Sequence, residues 1–518
     1  MQPLVVIIFG GSGDLTKRKL MPSLYMLFKR EELPEHFAIL SIARTSFTNE
    51  EYRKHIREHL RKYTKTEEFN TEYADNFLKS VYHETLDPSS EDAYPALKKR
   101  LDELDNTIDN PGNYLYYLAT PPVLYETIPL LLQKAGLNRP TEKKPGFKRI
   151  IVEKPFGHDL ESARHLDHIY TSIFDENQIF RIDHFLGKET VQNILALRFA
   201  NVVLEPLWNR NYIHHIEITA VENMGVEQRG GFYDQTGALK DMVQSHLLQV
   251  LAVCAMEPPV SFDADSFRNE IVKVYQSLKP MTPKEIRSQV VRGQYTASDA
   301  GKKHFSAYRQ EEKVDPHSRT ETYVAMQVNI SNWRWDGVPF YIRTGKQMPT
   351  QVSEIVIHFK QTPHIMFSSL THCPHPNRMI IRLNPNEGVV FTLSMKIPGS
   401  GFNMGEVPVE FTYDSLGGVP TGDAYARLLE DCIQGETTLF TRSDAVEASW
   451  RFLDPILQLW AQDPKIPLYG YPAGSWGPGA ADRIIREEGT WTNPCKNLTK
   501  TNLYLSLIHI SEPTRRRG

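Results

Sequence analysis

The sequence predicts an α/β domain followed by an α+β domain, and three observations support this prediction. In the first third of the chain, short apolar runs alternate with helical patterns, beginning with the run at residues 4–9. From about residue 200, alternating apolar and polar runs follow one another with little helix between them. The 518 residues are too many for one simple core. We therefore expect a doubly wound parallel sheet, then a large, mainly antiparallel sheet covered by helices.

The N-terminal domain is assigned to residues 1–180 from its alternation of strands and helices. Thr48 and Glu51 have the spacing of a capping box, which predicts that a helix begins there. The other predicted helices end at Lys29 or cover residues 123–135 and 160–174, and the predicted strands are residues 4–9, 37–43, 114–119, 149–153 and 178–182.

The second domain is assigned to residues 181–495. Its start near residue 180 rests only on the change from alternating strands and helices to successive strands. Its predicted strands are residues 323–330, 354–359, 389–396 and 407–413, and its predicted helices are residues 239–256, 423–434 and 443–461. Residues 496–518 resemble translated vector sequence and end in three arginines, so we predict a non-native tail and exclude it from the fold.

Composition excludes several classes of protein. The 59 basic and 63 acidic residues give a net charge of -4, so no nucleic-acid partner is implied. No apolar stretch approaches the roughly 20 residues of a membrane span, so no membrane partner is expected either. The four cysteines lie far apart, without the spacing of a zinc site or a disulfide framework. We expect no metal and a cytoplasmic location.

A glycine-rich turn follows the first predicted strand directly and opens a helix. Gly10 can form the tight turn, and Gly13 allows the backbone to approach a pyrophosphate. The free N–H groups at the start of the helix would bind the phosphates. A glycine-rich turn is often only a turn, but between a first strand and a first helix it favours a Rossmann-like, dinucleotide-binding domain.

The second predicted strand ends in Ala43 and Arg44. An NAD site usually has a carboxylate at this point, where it accepts from the ribose 2′-hydroxyl. A guanidinium can instead bind a 2′-phosphate through its planar fork. Arg44 therefore indicates NADP as the cofactor, and the alternative is an arginine that merely caps a strand facing water.

Two charged segments follow later strands of the N-terminal domain. Lys154 stands at the carboxyl end of a predicted strand, where open parallel sheets bind ligands. The run from Arg181 to Lys188 combines Asp183 and His184 with two cations and a glycine, which suits an anionic, hydroxylated substrate. Read by itself, however, a charged run at a strand end is usually just a solvated turn.

The predicted helix at residues 239–256 carries Asp241 and His246. A histidine among apolar residues is more often a buried core residue than a base. Residues five apart on an α-helix lie about 140° apart around the axis, so the two side chains are not expected to share one face. Spacing alone does not identify a catalytic histidine.

Together, these segments resemble the ordered signature of the glucose-6-phosphate dehydrogenase family. The resemblance extends from residue 4 to about Trp491, and the region around Tyr471 to Pro478 is also similar. The run from Arg181 to Lys188 is the most specific part, whereas the glycine turn alone is not. The other segments that carry the resemblance are Gly10 to Leu15, Glu153 to Gly157, Asp241 to His246 and Arg343 to Lys346.

The resemblance implies a role for each matching residue. His246 matches the general base that takes the proton from the carbon 1 hydroxyl, and Asp183 matches the carboxylate that orients this histidine. His184 and Lys188 match the residues that hold the phosphate of glucose 6-phosphate. Further substrate-binding matches are Lys154, Glu222, Asp241 and Lys346, and the cofactor matches are Gly10, Gly13, Asp14, Leu15, Arg44 and Lys154.

Two positions depart from the pattern of that family. Phe185 stands where a tyrosine is common, so a hydroxyl that could donate to the phosphate is absent. Gln351 stands where a second cation is common. Losing one charge-assisted contact weakens binding by roughly 1.5–3 kcal/mol if nothing compensates, so substrate affinity is in doubt.

The expected activity is oxidation of glucose 6-phosphate to 6-phosphogluconolactone with NADP. One alternative is a different sugar oxidoreductase, which explains Lys154 but not the run from Arg181 to Lys188. Another is a non-catalytic sensor of NADP and sugar phosphate, which needs no base. A large sheet with one solvent-facing side also favours a homodimer or a homotetramer.

Overall fold

The computed structural model describes residues 1–300, 303–362, 376–399, 403–412, 424–485 and 490–494. The chain divides into two compact units. The first unit contains the described residues of 1–189, 259–272 and 421–450, and the second contains those of 190–258, 273–420 and 451–518. The domain boundary near residue 180 stays a prediction, as does the non-native tail, which lies outside the described residues.

The first unit contains a six-stranded sheet in the order β3-β2-β1-β4-β5-β6. All its neighbouring strands are parallel. This is the doubly wound order, in which ligands bind at the carboxyl ends of the strands beside the point where the order reverses. The predicted fold class is confirmed. The strands are β1 (Leu4–Phe9), β2 (Phe37–Ala43), β3 (Val81–Thr85), β4 (Tyr114–Leu118), β5 (Lys148–Val152) and β6 (Ile179–Arg181).

Helices connect these strands; the first, second, fifth and sixth were predicted from the sequence, whereas the third and fourth were not. The capping box at the start of the second helix is present: the Thr48 N–H donates to Glu51 at 2.8 Å, and the Glu51 N–H donates to Thr48 Oγ1 at 3.2 Å. The helices before the second unit are α1 (Met21–Lys29), α2 (Asn49–Tyr63), α3 (Thr71–Lys79), α4 (Tyr94–Ile108), α5 (Thr127–Lys134) and α6 (Leu160–Ile173).

The second unit contains a nine-stranded sheet in the order β16-β15-β14-β13-β7-β12-β11-β8-β17. The pairs β7–β12 and β8–β17 are parallel, and the other neighbouring pairs are antiparallel, which confirms the mainly antiparallel prediction. The strands are β7 (Ile213–Val221), β8 (Val290–Thr296), β11 (Tyr323–Asn329), β12 (Pro339–Gly345), β13 (Val352–Phe359), β14 (Arg378–Asn384), β15 (Gly388–Lys396), β16 (Met404–Thr412) and β17 (Tyr469–Pro472), and a separate hairpin pairs β9 (Ser298–Ala300) with β10 (Lys303–Phe305).

The later helices include two near the C-terminus that agree with the prediction, apart from residue 423, which lies outside the described residues. The predicted helix at residues 239–256 is a π-helix at Leu239–Leu247 followed by an α-helix. No helix in the described ranges is long and apolar enough to cross a bilayer. The helices are α7 (Glu189–Phe199), α8 (Gly230–Ala238), α9 (Leu248–Ala255), α10 (Ala264–Gln276), α11 (Pro283–Gln289), α12 (Ala424–Gln434) and α13 (Ser443–Gln462).

Candidate active site

The glycine turn after β1 has a conformation that requires glycine. Gly10 has φ +90°, and a Cβ there would lie 2.2 Å from the Ala119 carbonyl oxygen. A Cβ on Gly11 would lie 1.7 Å from the Ser41 hydroxyl oxygen. The N–H groups of Gly10 and Gly11 both donate to the Ile42 carbonyl, at 2.9 and 3.0 Å. The first turn is thus fixed against the end of the second strand.

The remaining predicted cofactor residues follow on the same turn. The Gly13 N–H donates to the Gly10 carbonyl at 2.9 Å, so the chain enters a helical segment at once. Asp14 is exposed and lies 3.8 Å from Lys17 and 3.6 Å from Arg18. Leu15 is half-buried beside it. In doubly wound nucleotide-binding domains, N–H groups at a helix start of this kind bind phosphates.

Arg44 follows β2 directly and is exposed to solvent. Its position at the carboxyl end of β2 is where the adenosine ribose binds in this fold. The residues after it, Thr45 and Ser46, are uncharged. The Thr45 hydroxyl lies 3.3 Å from the Ser12 hydroxyl, which links this segment to the glycine turn.

Lys154 and Asp183 leave two neighbouring parallel strands at the same edge of the sheet. The register of β5 and β6 pairs Val152 with Arg181, so each side chain is two residues beyond a matched pair. Lys154 is half-buried and follows Glu153, whose carboxylate accepts from the Tyr117 hydroxyl at 2.6 Å. The peptide bond after Lys154 is cis.

The run from Arg181 to Lys188 separates into two parts. The Arg181 guanidinium is buried and contacts Asp167 and Glu176, each at 2.7 Å. The Arg181 charge is therefore neutralised within the fold by two carboxylates. The Lys188 ammonium instead lies 4.0 Å from the centroid of the Phe185 ring.

His184 and Asp183 occupy different surroundings. The His184 ring is half-buried and lies parallel to the Tyr425 ring, with 6.4 Å between centroids. Asp183 is buried, and its Oδ1 accepts from the Phe185 N–H at 2.9 Å. Burial raises the pKa of Asp183 to about 6, although His184, the Phe185 N–H, Lys154 and Lys188 each lower it. The cations therefore keep this buried carboxylate ionised at neutral pH.

In the second unit, Asp241 and His246 both lie on the π-helix Leu239–Leu247. Its hydrogen bonds join residues five apart, so residues with this spacing lie about one turn apart. The expectation that the two side chains do not share one face was wrong, because it assumed α-helical geometry. His246 is buried, and Asp241 is half-buried.

Glu222 and Lys346 form an ion pair at the carboxyl ends of β7 and β12. The parallel register pairs Val221 with Gly345, so the next residue on each strand carries the charge. The backbone continues this alignment, because the Glu222 N–H donates to the Gly345 carbonyl at 2.9 Å. The Lys346 ammonium is buried and also lies 5.0 Å from the centroid of the Tyr233 ring.

Sequence reasoning missed Tyr233 and Glu321, which position these groups. The charges of Asp241 and Glu222 act on the buried Tyr233, whose pKa burial raises well above its usual value. Glu321 accepts from the Leu239 N–H at 3.0 Å, at the start of the π-helix. A Cβ on Gly237, which has φ +71°, would lie 2.4 Å from the Glu321 carboxylate. The sequence signal for this contact is Gly237 alone, a glycine just before the predicted helix.

His215, Glu217 and His358 form another cluster on the large sheet, with ligand-type atoms within 4.8 Å of one another. The two imidazole rings are stacked, with 4.0 Å between centroids and 13° between planes. A metal bound through a ring nitrogen lies in the plane of that ring, so two parallel rings cannot both ligate one ion. Burial would raise the pKa of Glu217, but His215, 3.8 Å away, and the hydrogen bond with His358 at 2.8 Å hold it well below its usual value. The cluster is a hydrogen-bonded group within the large sheet.

Comparisons with known proteins identify the family of this chain. The model of the glucose-6-phosphate dehydrogenase NAD binding domain matches residues 7–193, and that of the C-terminal domain matches residues 195–492. The glucose-6-phosphate 1-dehydrogenase of Aggregatibacter actinomycetemcomitans is 49% identical over 490 residues, which cover 94% of this chain and 97% of the relative. That of Treponema pallidum (strain Nichols) is 45% identical over 499 residues, covering 96% of each chain.

Solved structures give the same result. A glucose-6-phosphate dehydrogenase in complex with its substrate glucose 6-phosphate has a TM-score of 0.85 at 34% identity, covering 95% of this chain and 99% of that chain. The glucose-6-phosphate 1-dehydrogenase of Mycobacterium avium has a TM-score of 0.79 at 36% identity, with the same coverage.

The fold and the charged strand ends define an oxidoreductase that uses a nicotinamide dinucleotide. Within that class, the chain belongs to the glucose-6-phosphate dehydrogenase family.

Gly10→Ala tests the glycine turn. We expect a loss of about 2–4 kcal/mol in the free energy of unfolding, because the variant combines a positive φ with a clash against the Ala119 carbonyl. Gly136→Ala has a positive φ but open space, so it should lose only about 1 kcal/mol. Gly479→Ala has neither problem and is the control. Urea unfolding measures all three, and equal losses in Gly10→Ala and Gly479→Ala would contradict the account.

Asp183→Asn tests the buried carboxylate. Its pKa rises from 3.8 to about 6 on folding, so the folded state binds more protons between these pH values. The contribution of Asp183 to stability therefore falls as the pH rises through this window. Relative to wild type, the variant should gain on the order of 2–3 kcal/mol of unfolding free energy between pH 4 and pH 7.

Urea unfolding at both pH values measures this gain. Asp14→Asn is the control, because the Asp14 side chain is 73% exposed. A difference between Asp183→Asn and wild type that does not change with pH would show that the Asp183 carboxylate is not penalised by burial.

Proposed function

We propose that this protein oxidises D-glucose 6-phosphate at carbon 1 to 6-phospho-D-glucono-1,5-lactone, with hydride transfer to NADP. This reaction is the first step of the oxidative pentose phosphate pathway. The observation that carries the proposal is the short segment in which the buried Asp183 is followed by His184 and Lys188. This segment places an ionised carboxylate, that of Asp183, close in sequence to an imidazole and an ammonium, which can both bind a phosphate. The similar dehydrogenase in complex with its substrate glucose 6-phosphate supports the choice of substrate.

His246 is the proposed general base. In its neutral form it accepts the proton of the carbon 1 hydroxyl as the carbon–hydrogen bond of carbon 1 breaks and a carbonyl forms there. Asp183 is assigned to orient this imidazole and to stabilise its charged form. That role requires the ionised carboxylate, which predominates above pH 6 because the pKa of Asp183 is about 6. The nicotinamide ring, when bound, supplies the two-electron acceptor.

The phosphate group anchors the sugar far from the reacting carbon. His184 and Lys188 are assigned to it, so their binding energy orients carbon 1 without covering it. The remaining assigned residues are proposed to contact the sugar, where charged and polar groups suit hydroxyls. They are Lys154, Glu222, Asp241 and Lys346. Phe185 places no hydroxyl beside the phosphate, and Gln351 offers no charge, so Lys188 is left as the principal cation of this group.

Arg44 is the proposed determinant of NADP as the cofactor. Support comes from its position directly after β2, with a glycine turn that begins directly after β1. A guanidinium can contact a 2′-phosphate through two parallel hydrogen bonds, whereas the two hydroxyls of an NAD ribose offer it no charge. Gly10, Gly13, Asp14 and Leu15 are assigned to the pyrophosphate, and Lys154 to the nicotinamide end.

Two variants test the reaction, with the absorbance of the reduced cofactor as the measurement. His246→Asn should lower kcat about 10²- to 10⁴-fold with little change in KM, because it removes the base and keeps the size. Lys188→Met should raise the KM for glucose 6-phosphate at least tenfold and leave turnover of free glucose unchanged.

The outcomes separate the alternatives. Absence of turnover by the wild type would favour a non-catalytic sensor. Equal efficiency of the wild type with glucose and with glucose 6-phosphate would remove the phosphate role of His184 and Lys188, and would favour a different sugar oxidoreductase.

We also propose a cytoplasmic homo-oligomer, a homodimer or a homotetramer. The edge strand β16 presents Val407, Val409 and Phe411 to solvent, with 44%, 39% and 63% of each residue exposed. These side chains lie on one face of the strand, and an apolar edge of this kind is normally covered. A second copy of the chain would cover it. The free thiols of Cys254 and Cys432 are compatible with a reducing compartment.

Phe411→Lys tests this surface. The charge should convert the wild-type oligomer into a smaller species, because an unpaired ammonium would be buried at the interface. Light scattering coupled to size exclusion measures the mass. Val260→Lys is the matched control, since Val260 is 94% exposed in the other unit. A monomeric wild type, or an unchanged mass in Phe411→Lys, would contradict the proposed interface.

A further inference from the structure

His83 on β3 contacts the segment that carries Arg44. Its Nε2 lies 2.9 Å from the Thr45 carbonyl oxygen, one residue beyond Arg44. Its Nδ1 lies 3.2 Å from the Ser41 hydroxyl oxygen, on the neighbouring strand β2. The ring is buried, although Thr45 itself is exposed. The imidazole therefore ties an exposed turn to the interior of the sheet.

The hydrogen bonds fix the tautomer of this ring. A backbone carbonyl can only accept, so His83 Nε2 carries the hydrogen and donates to Thr45. In a neutral ring, Nδ1 is then the acceptor and receives the Ser41 hydroxyl. Burial lowers the pKa of His83, which favours this neutral form. Both ring nitrogens are satisfied without a charge.

The same ring is linked to the glycine turn. It stacks on Tyr52 with 4.8 Å between centroids and 25° between planes. The Tyr52 hydroxyl donates to the Gly11 carbonyl at 2.8 Å, and Ser41 occupies the space that a Cβ on Gly11 would need. The His83 N–H also donates to Asn49 Oδ1 at 2.8 Å, in the first turn of α2. One imidazole thus fixes the β2 segment relative to the pyrophosphate turn.

The Arg44 side chain is exposed and long, so the direction of its guanidinium depends on how its backbone is held. Binding of a 2′-phosphate by an arginine on a flexible segment costs conformational entropy of both side chain and backbone. A fixed backbone lowers the backbone part of that cost. We propose that His83 is a positioning residue for NADP preference: it holds the Thr45 carbonyl, and thereby Arg44, where the 2′-phosphate binds. This inference rests on the proposed use of NADP.

Two amides test the two ring nitrogens separately. Glutamine places its amide N–H near the position of Nε2, so His83→Gln can still donate to the Thr45 carbonyl. Asparagine reaches only the position of Nδ1, so His83→Asn loses the Thr45 contact. The measurement is the Kd for NADP and for NAD by fluorescence titration of the full-length protein, with kcat at saturating NADP and the Tm alongside.

We expect His83→Asn and His83→Ala to weaken NADP binding about tenfold, with less than a twofold effect on NAD and no change in kcat. His83→Gln should retain the preference of the wild type. The loss should vanish in an Arg44→Ala background, because His83 acts through Arg44.

Three results would overturn the inference: an unchanged preference in His83→Asn, equal weakening for both cofactors, or the same loss from His83→Gln as from His83→Ala. Failure of the proposed cofactor looks different. In that case the wild type binds both cofactors equally, or Arg44→Ala leaves the preference unchanged, and the role of His83 falls with it. If Arg44→Ala lowers the preference and His83→Asn does not, only the inference fails.

Discussion

Parallel strand pairing is the constraint that places charged residues together at the carboxyl ends of strands, and it acts within each unit separately. In the first unit, β5 and β6 bring Lys154 and Asp183 to matching positions beyond the register pair Val152 and Arg181. In the second unit, β7 and β12 do the same for Glu222 and Lys346. Each pair sets one ammonium group beside one carboxylate at the end of a sheet, where the backbone leaves room for a ligand. The mixed pairing of the large sheet therefore has a functional consequence, because an antiparallel neighbour would send one of the two charges to the opposite edge.

The sequence predicted the strands that read as apolar runs, and it missed several other elements. Five strands of the six-stranded sheet follow from apolar runs such as residues 4–9 and 37–43, whereas the short β3 was missed. By contrast, β7 and β12 are buried along almost their whole length, on both faces, so they show no alternation of apolar and polar residues. Their contribution to the site, Glu222 and Lys346, came only from the resemblance. Long-range pairing of strands more than 100 residues apart leaves no local trace in the sequence.

The π-helix shows a second limit. Asp241 and His246 are spaced for a π-helix, but no rule of composition distinguishes that spacing from an α-helix that carries the same residues. What holds the helix start is Glu321, a residue some 80 positions away, which accepts from the Leu239 N–H. A buried carboxylate reaching across the fold cannot be predicted from a window around the helix. It also explains why residue 237 is a glycine, since any side chain would occupy the place of the Glu321 carboxylate.

Charged residues were the least informative signal in the sequence, because two cations of one short segment have different partners in the fold. Arg181 and Lys188 lie in one short run. The Arg181 guanidinium forms ion pairs with Asp167 and Glu176, whereas the Lys188 ammonium lies against the Phe185 ring. The buried arginine needs two acidic partners to offset its desolvation, and a buried ion pair is weak evidence for stability but good evidence for a fixed geometry. Arg181 thereby anchors the strand end from which Asp183 emerges. The buried carboxylate and the paired guanidinium therefore have separate roles. Arg181 fixes the strand end, whereas burial raises the pKa of Asp183, and His184, the Phe185 N–H, Lys154 and Lys188 lower that pKa.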